Sequence, residues 1–260
     1  MHLTPALLWS CSLGFVTLIW VLFPPLRLLS SGLLIAHVPL LAWGIADIRS
    51  RFFGPVLISR RAVTDAIALT FDDGPDPALT PRVLDLLAEH GCRATFFVIA
   101  ARAREHPELV KRAFDEGHTI ACHDLRHDPW SNFRLGDRIV YDVRTAQDII
   151  EEIIGQRPLL YRPPVGMMNP HVLPAIRRLD MQCVGWSRRA GDAGNRRAAR
   201  IARIPTLAVP GAVVLLHDTL PIAAHRELVI ENFRALLERV REQGLRTLTV
   251  DTYFAVPAYA

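Results

Sequence analysis

Lysine is almost absent: of the 30 basic residues in this 260-residue chain only Lys111 is lysine, and the rest are arginine. A GC-rich genome produces such a bias without functional pressure, so the net charge of +4 does not argue for a nucleic-acid partner. Cysteine is scarce as well. Cys11, Cys92, Cys122 and Cys183 show no C-x-x-C spacing, and Cys11 sits in an apolar run apart from the others. They read as free thiols, which disfavours a disulfide-built exterior domain. Linker tracts, fixed-period repeats and low-complexity segments are lacking, the 19 prolines and 15 glycines being scattered as punctuation. With 50% hydrophobic residues the chain is not disordered and is long enough for one catalytic domain plus an appendage.

Charge is missing from two long stretches, residues 6–23 and 28–46, which are separated by Pro24, Pro25, Leu26 and Arg27. Each approaches the roughly 20 residues that cross a bilayer. Pro24-Pro25 cannot continue a helix interior, so residues 1–48 are expected to form a transmembrane helical hairpin. A cleaved signal peptide fits less well, because no basic segment precedes the first run and a second run follows it. A buried hairpin in a soluble core is the alternative. The expected location is the bacterial inner membrane. Arg49, Arg51, Arg60 and Arg61 follow the second run, against only Arg27 in the loop, which by the positive-inside rule places the large domain in the cytoplasm. Arg60 and Arg61 border the folded domain, and translocated domains override nearby charge, so both sides stay open.

Beyond an expected linker at 49–63, short apolar runs alternate with helical patterns through a catalytic domain placed at 64–255. Strands are expected at 66–71, 94–99, 118–122, 159–162, 182–186, 212–217 and 246–250. Between them, Thr80-Pro81 reads as an N-cap and first-turn pair closed by Gly91, and Pro107 opens a helix closed by Gly117. Further helices are expected near 136–155 and 226–244. This alternation argues for an α/β fold, a distorted (β/α) barrel of about seven parallel strands, with its chemistry at the C-terminal strand ends. Five polar clusters fall there: Asp72-Asp73, His123 with His127, Arg162-Pro163-Pro164, Trp186 to Asp192, and His217-Asp218.

Asp72 and Asp73, adjacent at the end of an extended strand, point in different directions, so one can hold a cation while the other moves a proton. A turn-capping pair before Gly74 is the competing reading. His123 and His127, spaced i,i+4, can face one side of a helical turn and grip one metal ion. Adding Asp73 gives a two-histidine, one-carboxylate set with open positions, for which zinc is the default divalent ion. Cys122 alternates to the opposite face of its strand and reads as core. His217, at the mouth of a buried apolar strand, reads as a general acid once a metal site stands across the rim.

TFDDGP, the H-x-x-x-H of GHTIACHDLRH, YRPPVG, WSRRAGD and LLHD, in that order across residues 66–250, resemble the motifs of the polysaccharide deacetylases, carbohydrate esterase family 4. The resemblance implies that Asp72 is the general base, that Asp73, His123 and His127 bind the metal, and that His217 is the general acid. It further implies that Arg162 holds the base, that Asp192 orients His217, and that Val165 offers a backbone N–H to the developing oxyanion. Three departures stand out: Asp124 where serine or threonine is usual, Val165 where an aromatic residue is common, and Arg188-Arg189 inside the fourth motif.

The function so indicated is removal of an acyl group, N-acetyl foremost, from a saccharide or a lipid-linked amino sugar by metal-activated water, with membrane lipid as a second partner and no nucleic acid. The alternative is a catalytically silent glycan-binding module, disfavoured because base, acid and ligands are all present. A two-metal phosphoesterase would need further carboxylates. Arg196, Arg197, Arg200 and Arg203 form a basic run, either a solvated helix face or a surface for anionic headgroups.

Overall fold

The computed structural model describes residues 4–60, 62–128, 130, 133–192, 198–220 and 222–260. Two apolar helices come first, α1 (Pro5–Leu22) and α2 (Arg27–Ala46), joined by a 3-10 turn at Pro24–Leu26. At 18 and 20 residues they are about 27–30 Å long, the thickness of a bilayer core. Length and composition suffice for crossing a membrane, and only a few of their side chains are buried in the protein. Polar contacts join the two: Trp9 Nε1 donates to the His37 carbonyl at 3.1 Å, Trp20 Nε1 to Ser31 Oγ at 3.1 Å and Arg27 Nε to the Trp20 carbonyl at 3.2 Å, and His37 Nε2 lies 3.2 Å from Ser12 Oγ.

From residue 66 onward the chain alternates strands and helices: β1 (Ala66–Asp72), α3 (Thr80–Glu89), β2 (Thr95–Val98), α4 (Ala100–Glu105), α5 (Pro107–Asp115), β3 (Thr119–Cys122) and α6 (Gly136–Ile154). There follow β4 (Leu160–Tyr161), α7 (Val172–Arg177), β5 (Gln182–Cys183), β6 (Arg188–Arg189), α8 (Ala198–Ile201), β7 (Val213–His217), α9 (Arg226–Glu242), β8 (Arg246–Leu248) and α10 (Val250–Phe254). Seven strands run in the order β5-β4-β3-β2-β1-β7-β6, and β8 pairs with the start of β1. Every registered pair is parallel. The sheet curls into an incomplete barrel. All seven residues of β1 are buried, as a central strand covered on both faces requires. Phe71 of β1 stacks on Phe96 and meets Phe233 of α9 edge-on, which fixes that helix against the sheet.

Local details differ from the sequence reading. Of the run expected at 182–186 only Gln182–Cys183 forms a strand, β5, because Val184 bridges to Leu57 instead of extending it, and β6 at Arg188–Arg189 is a further strand that the sequence pattern did not suggest. Thr80 lies inside the first turn of α3, and it is the Asp76 carboxylate that accepts from the N–H groups of Ala78 and Leu79 at 2.8 and 3.2 Å. The stretch expected as a linker packs inward. Ile48, Phe52, Val56 and Ile58 are buried, and Leu57 joins the β5 edge through Leu57 N to Cys183 O and Gly185 N to Leu57 O, 2.9 and 2.8 Å. Beyond residue 255, the Tyr259 hydroxyl accepts from the Ile120 N–H at 2.8 Å, tying the C-terminus to β3.

Candidate active site

β1 carries Asp72 into register with His217 of β7, so parallel pairing alone brings the expected base and acid to one rim. Asp73 follows with φ 71°, and Gly74 passes so close to the Asp218 carboxyl that a side chain there would collide with it. Asp218 is buried, burial pushes its carboxyl up to about 7, and Thr80 Oγ1 donates to it at 2.6 Å. Arg102 Nη1 donates to the Asp73 carbonyl at 2.6 Å, holding the turn from the other side.

His123 and His127 meet Asp73 from the loop after β3. No helical turn presents them: the loop reverses with Asp124 at φ 69° and His127 at φ 52°. Left-handed backbone at non-glycine residues costs free energy, and Asp73, Asp124, His127 and Val165 all carry it around this one rim. The Nε2 atoms of His123 and His127 each lie 3.3 Å from Asp73 Oδ1. His123 Nδ1 sits 2.8 Å from the Arg162 carbonyl, which can only accept, so Nδ1 carries the hydrogen and Nε2 presents a lone pair. Asp73 Oδ1 is buried without a hydrogen-bond partner among the described residues.

These three donors fit a divalent ion. Zinc bonded at about 2.0–2.1 Å in a tetrahedron sets its ligand atoms about 3.3 Å apart, the spacing seen between Asp73 Oδ1 and the Nε2 of each histidine. Burial pushes the Asp73 carboxyl up, but the close approach of His123 and the fields of His217 and His127 outweigh it and hold it well below the usual range. Burial first, and then the charge of neighbouring His123, keep His127 below its ordinary value against the pull of Asp73. For His123 the carboxylates win over burial, and the imidazole is raised.

Asp72 is gripped by Arg162, which is fully buried. Nη1 donates to Asp72 Oδ1 at 2.6 Å and to Thr70 Oγ1 at 2.9 Å, Nη2 to the Gly185 carbonyl at 2.9 Å and Nε to the Val184 carbonyl at 3.3 Å. Its guanidinium stacks 4.0 Å over the Phe97 ring. A buried cation so enclosed positions a carboxylate rather than reacting itself. His217 is 12% exposed at its side chain, with Nε2 4.0 Å from Asp73 Oδ2 and Nδ1 3.1 Å from Asp192 Oδ1. Burial lowers its basicity, yet Asp192, Asp73 and Asp72 together raise it to about 9. Val165 projects at the mouth with φ 50°, and its N–H has no partner among the described residues.

Two of the departures have structural consequences. Asp124 lies in a second buried network, its Oδ2 4.0 Å from Arg134, whose guanidinium also binds Asp142 and Asp128. This fork pins the loop bearing both histidines. Arg189 lines the pocket, a residue singled out in the sequence only as unusual. Sequence reasoning assigned no role to Trp186, whose indole closes one wall against Gly166, or to Thr70 beneath Arg162. Cys122 is buried, its thiol held far above its usual value by burial. His118 is buried too, accepting from the Ala94 N–H at Nδ1 over 3.2 Å. Of the basic run, Arg196 and Arg197 lie outside the described residues, while Arg200 and Arg203 are exposed.

A family model of the polysaccharide deacetylases matches residues 60–184. The chain is 36% identical to a peptidoglycan-N-acetylglucosamine deacetylase of Bacillus cereus over 187 residues, 71% of this chain and 85% of that one. It is 35% identical to a chitooligosaccharide deacetylase of Azorhizobium caulinodans over 60% of this chain and 75% of that one. A solved peptidoglycan N-acetylglucosamine deacetylase superposes with a TM-score of 0.70 at 27% identity, covering 79% of this chain and 95% of that one. The curled parallel sheet with its polar C-terminal rim is thus a known α/β hydrolytic scaffold. The chain belongs to the polysaccharide deacetylase family.

Proposed function

We propose that this protein hydrolyses the N-acetyl group of an amino sugar, yielding acetate and a free amine. The observation that supports this best is the convergence of Asp73, His123 and His127 on one point, with Asp72 Oδ2 3.8 Å from His123 Nε2 and His217 Nε2 4.0 Å from Asp73 Oδ2. A divalent ion held by that triad, zinc by preference, would supply water of lowered pKa and polarise the acyl carbonyl. Asp72 accepts the proton of the attacking water, its orientation set by Arg162. The Val165 N–H stands at the mouth to receive the oxyanion. His217 donates its Nε2 proton to the departing nitrogen while Asp192 keeps the Nδ1 hydrogen in place. No covalent intermediate is needed.

The two apolar helices are read as a membrane hairpin, which brings a saccharide of the cell envelope within reach. Mass spectrometry of N-acetylated amino-sugar oligomers and lipid-linked amino sugars, incubated with the detergent-solubilised full-length protein, tests the reading. It expects loss of one acetyl mass per turnover. Tight glycan binding without mass change, in metal-loaded protein, would favour the silent binding module instead.

A further inference from the structure

The pocket contains a cation that the hydrolytic reading does not use. Arg189 of β6 is in register with Leu215 of β7, and both side chains line the pocket that holds Asp72, Asp73 and His217. Residues paired across a parallel ladder share a face, so Arg189 points toward the reacting groups by strand geometry. It is exposed, with no ion pair or hydrogen bond among the described residues. A second guanidinium stands close by: Arg200 Nη1 lies 3.3 Å from where a side chain on Gly191 would begin, and Gly191 is part of the same pocket.

This corner of the pocket abuts the hairpin. Asp47, directly after α2, has its carboxyl lowered first by Arg49 and also by the field of Arg189. Met168 N, three residues beyond Val165, donates to the Ile45 carbonyl in the last turn of α2 at 2.9 Å. At the hairpin's other end Ala6 N donates to the Phe52 carbonyl at 2.8 Å, and Phe52 packs directly on Gly44. The hairpin is therefore seated beside the pocket wall, and Arg189 of that pocket lies near enough to the end of α2 for Asp47 to feel its field. A neutral sugar hydroxyl can accept from one N–H of Arg189 but does not balance its charge. A sugar carrying a phosphate next to the ring does, because a planar fork matches phosphate oxygens.

We infer that Arg189, aided by Arg200, binds a phosphate attached to the amino sugar, so that the substrate is a sugar phosphate presented at the membrane surface on which the hairpin sits. This rests on the deacetylase reading. Full-length protein in detergent is given three N-acetylated substrates: a neutral amino-sugar glycoside, the same sugar as its 1-phosphate, and that phosphate esterified to a polyprenyl chain. Wild-type kcat/KM is expected to favour both phosphates over the glycoside. In Arg189→Gln that preference should shrink by about tenfold or more, chiefly through KM, as loss of a charge-assisted contact dictates. A polyprenyl ester better than the free 1-phosphate identifies a lipid-borne substrate, and equal rates identify the phosphate alone as what Arg189 reads. Calorimetric binding of the three ligands runs alongside. If nothing is deacetylated but the phosphates still bind more tightly and Arg189→Gln removes the difference, the deacetylase reading falls and this one stands. Equal wild-type affinity for phosphate and glycoside, or an equal loss for both in Arg189→Gln, overturns it.

Discussion

Asp192 holds His217 at two points, accepting the backbone N–H at Oδ2 over 3.0 Å and the ring Nδ1–H at Oδ1 over 3.1 Å. One carboxylate thus fixes both the position and the tautomer of the imidazole. Burial works against a charged His217, and Asp192 is the largest influence that raises it toward its value of about 9. Asp192→Asn removes that charge while preserving the shape. Because the acid must be protonated to act, the alkaline limb of the kcat/KM profile is expected to move to lower pH. A pH profile of the two proteins checks this, and an unmoved limb would detach Asp192 from the acid.

Arg162 and Asp72 form a buried pair whose partners cannot find water if one is removed. Arg162→Met strands the carboxylate and is expected to destabilise the fold by about 3–5 kcal/mol, measured by denaturant unfolding of the detergent-solubilised protein. Arg162→Lys keeps the charge but not the fork that spans Asp72, Thr70 and the Gly185 carbonyl. It should fold better than the methionine variant yet still lose most turnover.

His118 carries the pH dependence of stability that is easiest to isolate, since it lies behind the sheet away from the pocket. Burial lowers its pKa to about 4, against 6.5 for the free side chain. The unfolded chain therefore binds an extra proton between those values. Stability from this group is full above pH 6.5 and declines as pH falls toward 4, by up to about 3 kcal/mol. In His118→Gln, which keeps an acceptor for the Ala94 N–H, the slope of unfolding free energy against pH in that window should fall by about one proton.

Gly44 and Phe52 test whether the hairpin is a loose tether. A side chain at position 44 would drive into the Phe52 ring. Gly44→Leu is expected to cost about 1–3 kcal/mol by overpacking and to loosen the Ile45 to Met168 bond behind the Val165 loop. Turnover should drop with metal content unchanged. If thermal stability and turnover both match wild type, the hairpin does not brace the pocket.

The strands and the rim were readable from the sequence because buried parallel strands are continuous apolar runs and the polar residues end them. Which residues cluster was readable at Asp72-Asp73 and at His123 with His127, where the chain itself supplies the proximity. How they cluster was not: the histidines converge through a left-handed loop, a geometry that i,i+4 spacing does not encode. Contacts such as Arg162 with Asp72 or Asp192 with His217 span 90 and 25 positions and depend on sheet order, so only the family resemblance pointed to them. The inward packing of Phe52, Val56 and Ile58 escaped notice because three apolar residues without a period look like any connector.

The central claim is that one ion at Asp73, His123 and His127 is required for deacetylation. The direct test is to strip the full-length protein with chelator and titrate Zn²⁺ back while following acetate release from an N-acetylated amino sugar. Activity should be absent at the start, return in proportion to added metal, and saturate near one ion per chain, with His127→Ala failing to recover. Full acetate release by the stripped protein, or recovery in His127→Ala indistinguishable from wild type, would contradict it.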